Sequence, residues 1–99
     1  MKYINKKLSI ENIKVQNIAK KFGTPAYCYS YNQLKENINN FKRSFKSFSP
    51  LMCFAIKSNT NVNLISEIRK LGLGADVVSM GELMKALKAG IKPNKIVFS

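Results

Sequence analysis

Three strand-like segments, at Leu51–Ile56, Ala75–Val78 and Lys95–Ser99, recur at a period of about twenty residues with an amphipathic helical pattern in each gap. No other feature constrains the fold as strongly. The first run is six apolar residues long behind Pro50, short enough for a strand and apolar enough to be buried on both faces. In the first gap Asn61 or Asn63 can cap a helix carrying Leu64, Ile65, Ile68 and Leu71, and Gly72-Leu73-Gly74 closes it. In the second gap Ser79 and Glu82 have capping-box spacing for a helix with Leu83, Ala86, Leu87 and Ala89, ended by Gly90. Strand, helix, strand, helix, strand is two consecutive βαβ units, which predict an α/β fold with a parallel sheet and right-handed crossovers. Parallel sheets need cover on both faces, and a closed (β/α)8 barrel needs ~250 residues. The chain is therefore expected to hold the first three strands of such a barrel, as a truncated chain, a fragment or one half of a split protein.

Upstream the pattern is less regular. Residues 1–13 alternate lysines with single apolar residues and predict no firm element. Val15, Ile18, Ala19 and Phe22 mark one face of a short helix, which Gly23-Thr24-Pro25 stops. Ala26–Tyr29 reads as a short aromatic strand. Ser30, with Gln33 three residues on, opens a helix of four or five turns whose face of Tyr31, Leu34, Ile38, Phe41, Phe45 and Phe48 is expected to pack as core. The expected division is residues 1–29 as a helix and strand leading into the barrel, and residues 30–99 as its first helix and first three strands.

Composition narrows the function classes. The formal net charge of +12 suggests an anionic partner such as nucleic acid or a membrane surface. Only Arg43 and Arg69 among the 17 basic residues are arginines, however, whereas phosphate and base recognition favours the arginine fork. A Lys/Asn/Ile-rich composition accounts for the charge, and no nucleic-acid or membrane partner is expected. Two cysteines, Cys28 and Cys53, are too few for a disulfide framework and fit a reducing cytoplasm, and Met1–Gly23 lacks an apolar stretch long enough for a signal peptide or membrane span. With no histidine, His-based metal sites, general bases and triads are excluded within these residues.

In a (β/α)8 barrel, chemistry gathers at the carboxyl ends of the strands. The polar residues there are Lys57-Ser58-Asn59, Asp76 to Ser79, and Ser99. A lysine on such a rim is either a charge escaping to water or an amine available to form a Schiff base with a substrate carbonyl or pyridoxal phosphate. Spacing alone leaves both open. Gly72-x-Gly74 follows a helix and precedes a strand, the reverse of a dinucleotide-binding turn, and reads as a helix stop.

Gly23-Thr24-Pro25-Ala26-Tyr27-Cys28-Tyr29, Phe54-Ala55-Ile56-Lys57-Ser58-Asn59 and Gly74-Ala75-Asp76-Val77-Val78-Ser79-Met80-Gly81-Glu82-Leu83, in this order and spacing, resemble the N-terminal part of the alanine-racemase-fold, pyridoxal-phosphate-dependent decarboxylases. Asp76-Val77-Val78-Ser79 leans to their diaminopimelate branch. The resemblance covers roughly residues 15–99. It implies that Lys57 carries pyridoxal 5′-phosphate as a Schiff base, that Ala55 lies beneath the cofactor, and that Asp76 and Glu82 stand in the polar shell around them. Read from the residues alone, Asp76 is a strand terminator and Glu82 half of a capping box with Ser79. The implied reaction is decarboxylation at an amino-acid α-carbon, in the diaminopimelate branch from meso-diaminopimelate to L-lysine, by a homodimer. Ser58, where Ala is usual in the family, and Met80, where Gly is frequent, depart from the pattern. The family's cofactor-stacking histidine, glycine-rich phosphate turn, pyridine-pairing acid and C-terminal β domain have no counterpart in these residues, so the 99 residues alone are not expected to catalyse.

Three other readings remain. An ornithine or arginine decarboxylase would share the motifs; a racemase would usually continue Ala-Tyr-Gly where this chain has Thr60-Asn61-Val62. A non-catalytic member would keep the fold, although Lys57 is retained. A basic nucleic-acid-binding module would bind in a salt-sensitive manner without needing Lys57.

Overall fold

The computed structural model describes all residues, Met1–Ser99, which form two compact units, Met1–Phe41 and Lys42–Ser99.

The first unit begins with an antiparallel meander of β1 (Lys2–Ile4), β2 (Lys7–Ile10) and β3 (Ile13–Lys14) where the sequence predicts no element. The pairs Ile4↔Lys7 and Ile10↔Ile13 close two-residue turns, and Asn5, Lys6, Glu11 and Asn12 all take positive φ, as tight hairpin turns require. Helix α1 (Val15–Phe22) follows as its periodicity predicts and ends at Gly23, whose φ of +81° favours glycine. Ala26–Tyr29 does not form the expected strand. The segment has no ladder partner, and Tyr27 is 92% exposed; aromatic residues favour a pleated surface only where a neighbouring strand supplies one.

Helix α2 (Tyr31–Arg43) is opened by Ser30, whose Oγ accepts the Gln33 backbone N–H at 3.1 Å. The Gln33 side chain does not return to the cap, donating to Asn37 Oδ1 instead. The second half of the cap comes from the meander's turn, where a Glu11 carboxylate oxygen accepts the Ser30 hydroxyl and the Asn32 N–H, each at 2.6 Å. The helix is shorter than expected. Phe45 and Phe48 lie beyond it in a segment punctuated by Ser44, Ser47 and Ser49-Pro50, packed edge to face with centroids 5.5 Å apart. Of the anticipated core face, Ile38 is buried, while Tyr31, Phe41 and Phe48 stay exposed.

The second unit carries a parallel sheet in the order β4 (Cys53–Ala55), β5 (Gly74–Val77), β6 (Ile96–Phe98). Helices α3 (Val62–Lys70) and α4 (Met80–Lys88) make the two crossovers, with one 3-10 turn at Ile56–Ser58 and another at Pro93–Lys95. This is the partial (β/α)8 barrel expected from the repeat, with shorter ladders than the apolar runs suggest. Both caps form as predicted. Asn61 Oδ1 accepts the N–H groups of Asn63 and Leu64, and Ser79 Oγ accepts that of Glu82.

The core lies on one face of this sheet only. Ile56, Ile65, Ala75, Val77, Ala86, Ala89 and Ile91 form it, with Phe54, Val62, Leu83 and Ile96 packed against them. Since side chains alternate along a strand, Cys53, Ala55, Asp76 and Val97 belong to the opposite face. The first strand is thus half-buried, not covered on both sides as its apolar run predicts.

Two outcomes test these packing assignments. A β-carbon at Gly74 would overlap the Lys95 carbonyl oxygen, so Gly74→Ala is expected to destabilise the protein by about 3 kcal/mol, the upper range of overpacking, read from the urea midpoint. Hydrogen bonds from the Ser30 hydroxyl and then the Asn32 N–H hold the Glu11 carboxyl below the usual glutamate range. That favours the folded cap in full above the ordinary glutamate pKa, and the contribution is lost as pH falls through the lowered value. An NMR titration should show the Asn32 amide shifting in acid, and Glu11→Gln should abolish the shift.

Candidate functional site

Lys57 sits in the 3-10 turn that follows β4 directly, at the carboxyl edge of the sheet. The turn is held from several sides. Ile56, fully buried, anchors it in the core, and the Asn59 N–H donates to the Ile56 carbonyl at 3.0 Å. Ser58 Oγ donates to the Ala55 carbonyl at 2.8 Å, so the residue that departs from the family pattern closes the turn. Asn59 Oδ1 accepts the Asn61 N–H at 3.0 Å, and Asn61 in turn caps α3. The backbone of Lys57 is therefore fixed, while its side chain is exposed and makes no hydrogen bond or ion pair.

Ala55 and Asp76 are register partners on adjacent strands, and Asp76 is also opposite Val97 of β6. They share the face that the helices leave bare. Asp76 is half-buried there, and its Oδ1 accepts the Ser99 hydroxyl at 2.7 Å. Cys53 lies one alternation below Ala55 on this face. Burial, and secondarily the Asp76 charge, pushes its thiol pKa up, so Cys53 is held as the neutral thiol.

Glu82 is half-buried at the start of α4, where its Oε2 accepts the Val78 N–H at 2.9 Å. The reciprocal arm of the capping box thus reaches one residue before the cap, because Ser79 is extended and Val78 presents the free amide at the carboxyl end of β5. The sheet edge brings Lys57, Ala55 and Asp76 to one end, and the Val78 bond ties Glu82 to the same end. Sequence reasoning picked Ser99 only as a polar strand end; its bond to Asp76 spans 23 residues and has no local signal. No group of His, Cys, Asp and Glu is arranged to hold a metal ion. No helix is long and apolar enough to cross a membrane.

The face fits a flat, anionic aldehyde cofactor. Ala55 keeps the bare side of the sheet low near its carboxyl end, and Lys57 offers an unengaged amine at its rim.

Comparison with known proteins gives a consistent result. The profile described as pyridoxal-dependent decarboxylase, pyridoxal binding domain, matches residues 31–99. The diaminopimelate decarboxylase of Aquifex aeolicus is 41% identical over 99 residues, covering 100% of this chain and 23% of the relative. That of Helicobacter pylori strain J99 is 49% identical over 78 residues, covering 79% of this chain and 19% of the relative. The crystal structure of diaminopimelate decarboxylase from M. jannaschii in co-complex with L-lysine superposes with a TM-score of 0.92 at 35% identity, covering 98% of this chain and 24% of that one. The chain thus spans less than a quarter of the curated relatives it matches.

The Cys53 thiol reports on the face directly. In a Cys28→Ser background, Asp76→Asn is expected to speed alkylation of Cys53 at mildly alkaline pH by removing the negative charge. Burial remains, so the rate should stay below that of the exposed Cys28 measured in a Cys53→Ser protein.

Proposed function

The chain belongs to the pyridoxal-dependent decarboxylases, as part of their pyridoxal-binding domain, and on that premise we propose that the full-length protein decarboxylates meso-diaminopimelate to L-lysine and carbon dioxide with pyridoxal 5′-phosphate held on Lys57. The observation that carries this reading is Lys57 itself. Its backbone is pinned by a buried isoleucine and a chain of serine and asparagine hydrogen bonds, yet its amine is left without a partner at the carboxyl rim of a parallel sheet. A lysine serving only as a solvated strand end needs no such support.

Each residue has a distinct part. Lys57 would hold the cofactor covalently through Nζ and, displaced by the substrate's amine, stay at the rim to take it back when product leaves. When bound, pyridoxal phosphate supplies the sink for the electron pair left at the α-carbon as carbon dioxide departs. Ala55, without bulk above its β-carbon, leaves room on the face two residues before Lys57. Asp76 sets a carboxylate on that face, at the register position of Ala55. Glu82 belongs to the same polar shell, its carboxylate held toward the strand end by the Val78 amide. The names of the relatives and the lysine in the M. jannaschii complex support the diaminopimelate branch over ornithine or arginine as substrate. The working protein is read as a cytoplasmic homodimer, in keeping with two free cysteines and with the resemblance.

Borohydride reduction of the full-length protein with pyridoxal phosphate, followed by peptide mapping, should label the peptide bearing Lys57. Lys57→Ala should remove the label and reduce carbon dioxide release from meso-diaminopimelate to background. Label on another lysine, or turnover of ornithine in preference to diaminopimelate, would overturn the proposal.

A further inference from the structure

We propose that Ser99 is a positioning residue that holds the Asp76 carboxylate over the bare face of the sheet. The inference rests on the reading of Asp76 as part of the shell around the cofactor and adds to it a residue that fixes its orientation. In the ladder Asp76 is flanked by Ala55 and Val97, whose side chains offer it no hydrogen bond. Its carboxylate receives one from the Ser99 hydroxyl, at 2.7 Å on Oδ1, which is the usual length for an O–H donor.

Ser99 is itself held. Its backbone N–H donates to the Val77 carbonyl at 3.0 Å, carrying the β5–β6 ladder one step past its last paired residue. The hydroxyl therefore projects from fixed backbone, on the same alternation as Val97 and on the same face as Asp76. One carboxylate oxygen is committed to the sheet, and Oδ2 is left to meet a group above the face. Without the hydroxyl, Asp76 would be free to change rotamer, and its second oxygen would lose a defined direction. Asp76 and Ser99 thus act as a unit: the strand after β5 supplies the donor that aims the acid on β5.

The test uses the full-length protein, stripped of cofactor and titrated with pyridoxal phosphate by fluorescence, alongside steady-state kinetics. Ser99→Ala is expected to weaken cofactor binding about tenfold and to lower kcat by a similar factor, with KM for diaminopimelate little changed. Ser99→Thr should stay within about twofold of the native protein, and Ser99→Val, of the same shape but without the hydroxyl, should behave as Ser99→Ala. In an Asp76→Ala background Ser99→Ala should add nothing further, the mark of two residues acting through one contact. If Ser99→Ala does not fold, the Thr and Val pair decides the matter alone. Native behaviour of Ser99→Val, or losses at Ser99 and Asp76 that multiply independently, would overturn the proposal while Lys57 labelling stayed intact. Failure of the native protein to take label at Lys57 would instead overturn the reading beneath it.

Discussion

Burial of Ile56 is the constraint on which the rest of the second unit depends. It has no exposed surface and is the first residue past β4, so the strand cannot run on into solvent; it must turn with that side chain still in the core. Full burial of such a side chain is worth about 1.5–3 kcal/mol, more than any single hydrogen bond in the turn contributes. The 3-10 turn satisfies it, and the residue after it is delivered to the rim with its backbone already fixed. Lys57 owes its position to its apolar neighbour.

The two faces of the sheet then divide the work. Toward the helices the chain places Ala75, Ala86 and Ala89 among larger aliphatic residues, so that α3 and α4 pack closely on β5. On the other side, Cys53, Ala55 and Asp76 are small or polar and only half-buried. Because successive side chains alternate, one four-residue strand serves both faces: Ala75 and Val77 build the core, and Asp76 between them presents its carboxylate on the opposite face.

The second unit was largely legible because its signals are local. Asn61 and Ser79 are strong caps, Gly72 and Gly90 take the positive φ that ends each helix, and the apolar spacing in both gaps reports one buried face. Lys57 could be picked out for the same reason, since it interrupts an apolar run. The meander was illegible because Asn5-Lys6 and Glu11-Asn12 carry no glycine, and lysine and glutamate at positive φ send no sequence signal. Ala26–Tyr29 misled in the opposite sense: its composition suits a strand, but strand formation needs a partner that composition does not reveal. The aromatic spacing past Arg43 likewise continues a helical pattern that the serines and Pro50 do not sustain. The contacts Glu11–Ser30 and Asp76–Ser99 lie 19 and 23 residues apart in sequence, and only the folded chain shows them.

The acidic side chains are almost all occupied. Glu11 is bound to Ser30 and Asn32, Glu67 to Lys70, Asp76 to Ser99 and Glu82 to Val78, which leaves Glu36 as the fifth carboxylate of the chain. Lys70 pairs with Glu67 at 2.7 Å within a single turn of α3. These bonds fix the carboxylates in place and leave them charged, but 17 basic residues against five acidic ones give a net charge of +12, and that excess sets an attractive field that extends for about a Debye length, roughly 8 Å at physiological salt. A phosphorylated cofactor or a dicarboxylic amino acid approaching this surface would be drawn inward before it touches any residue, and added salt would slow that encounter without altering the site.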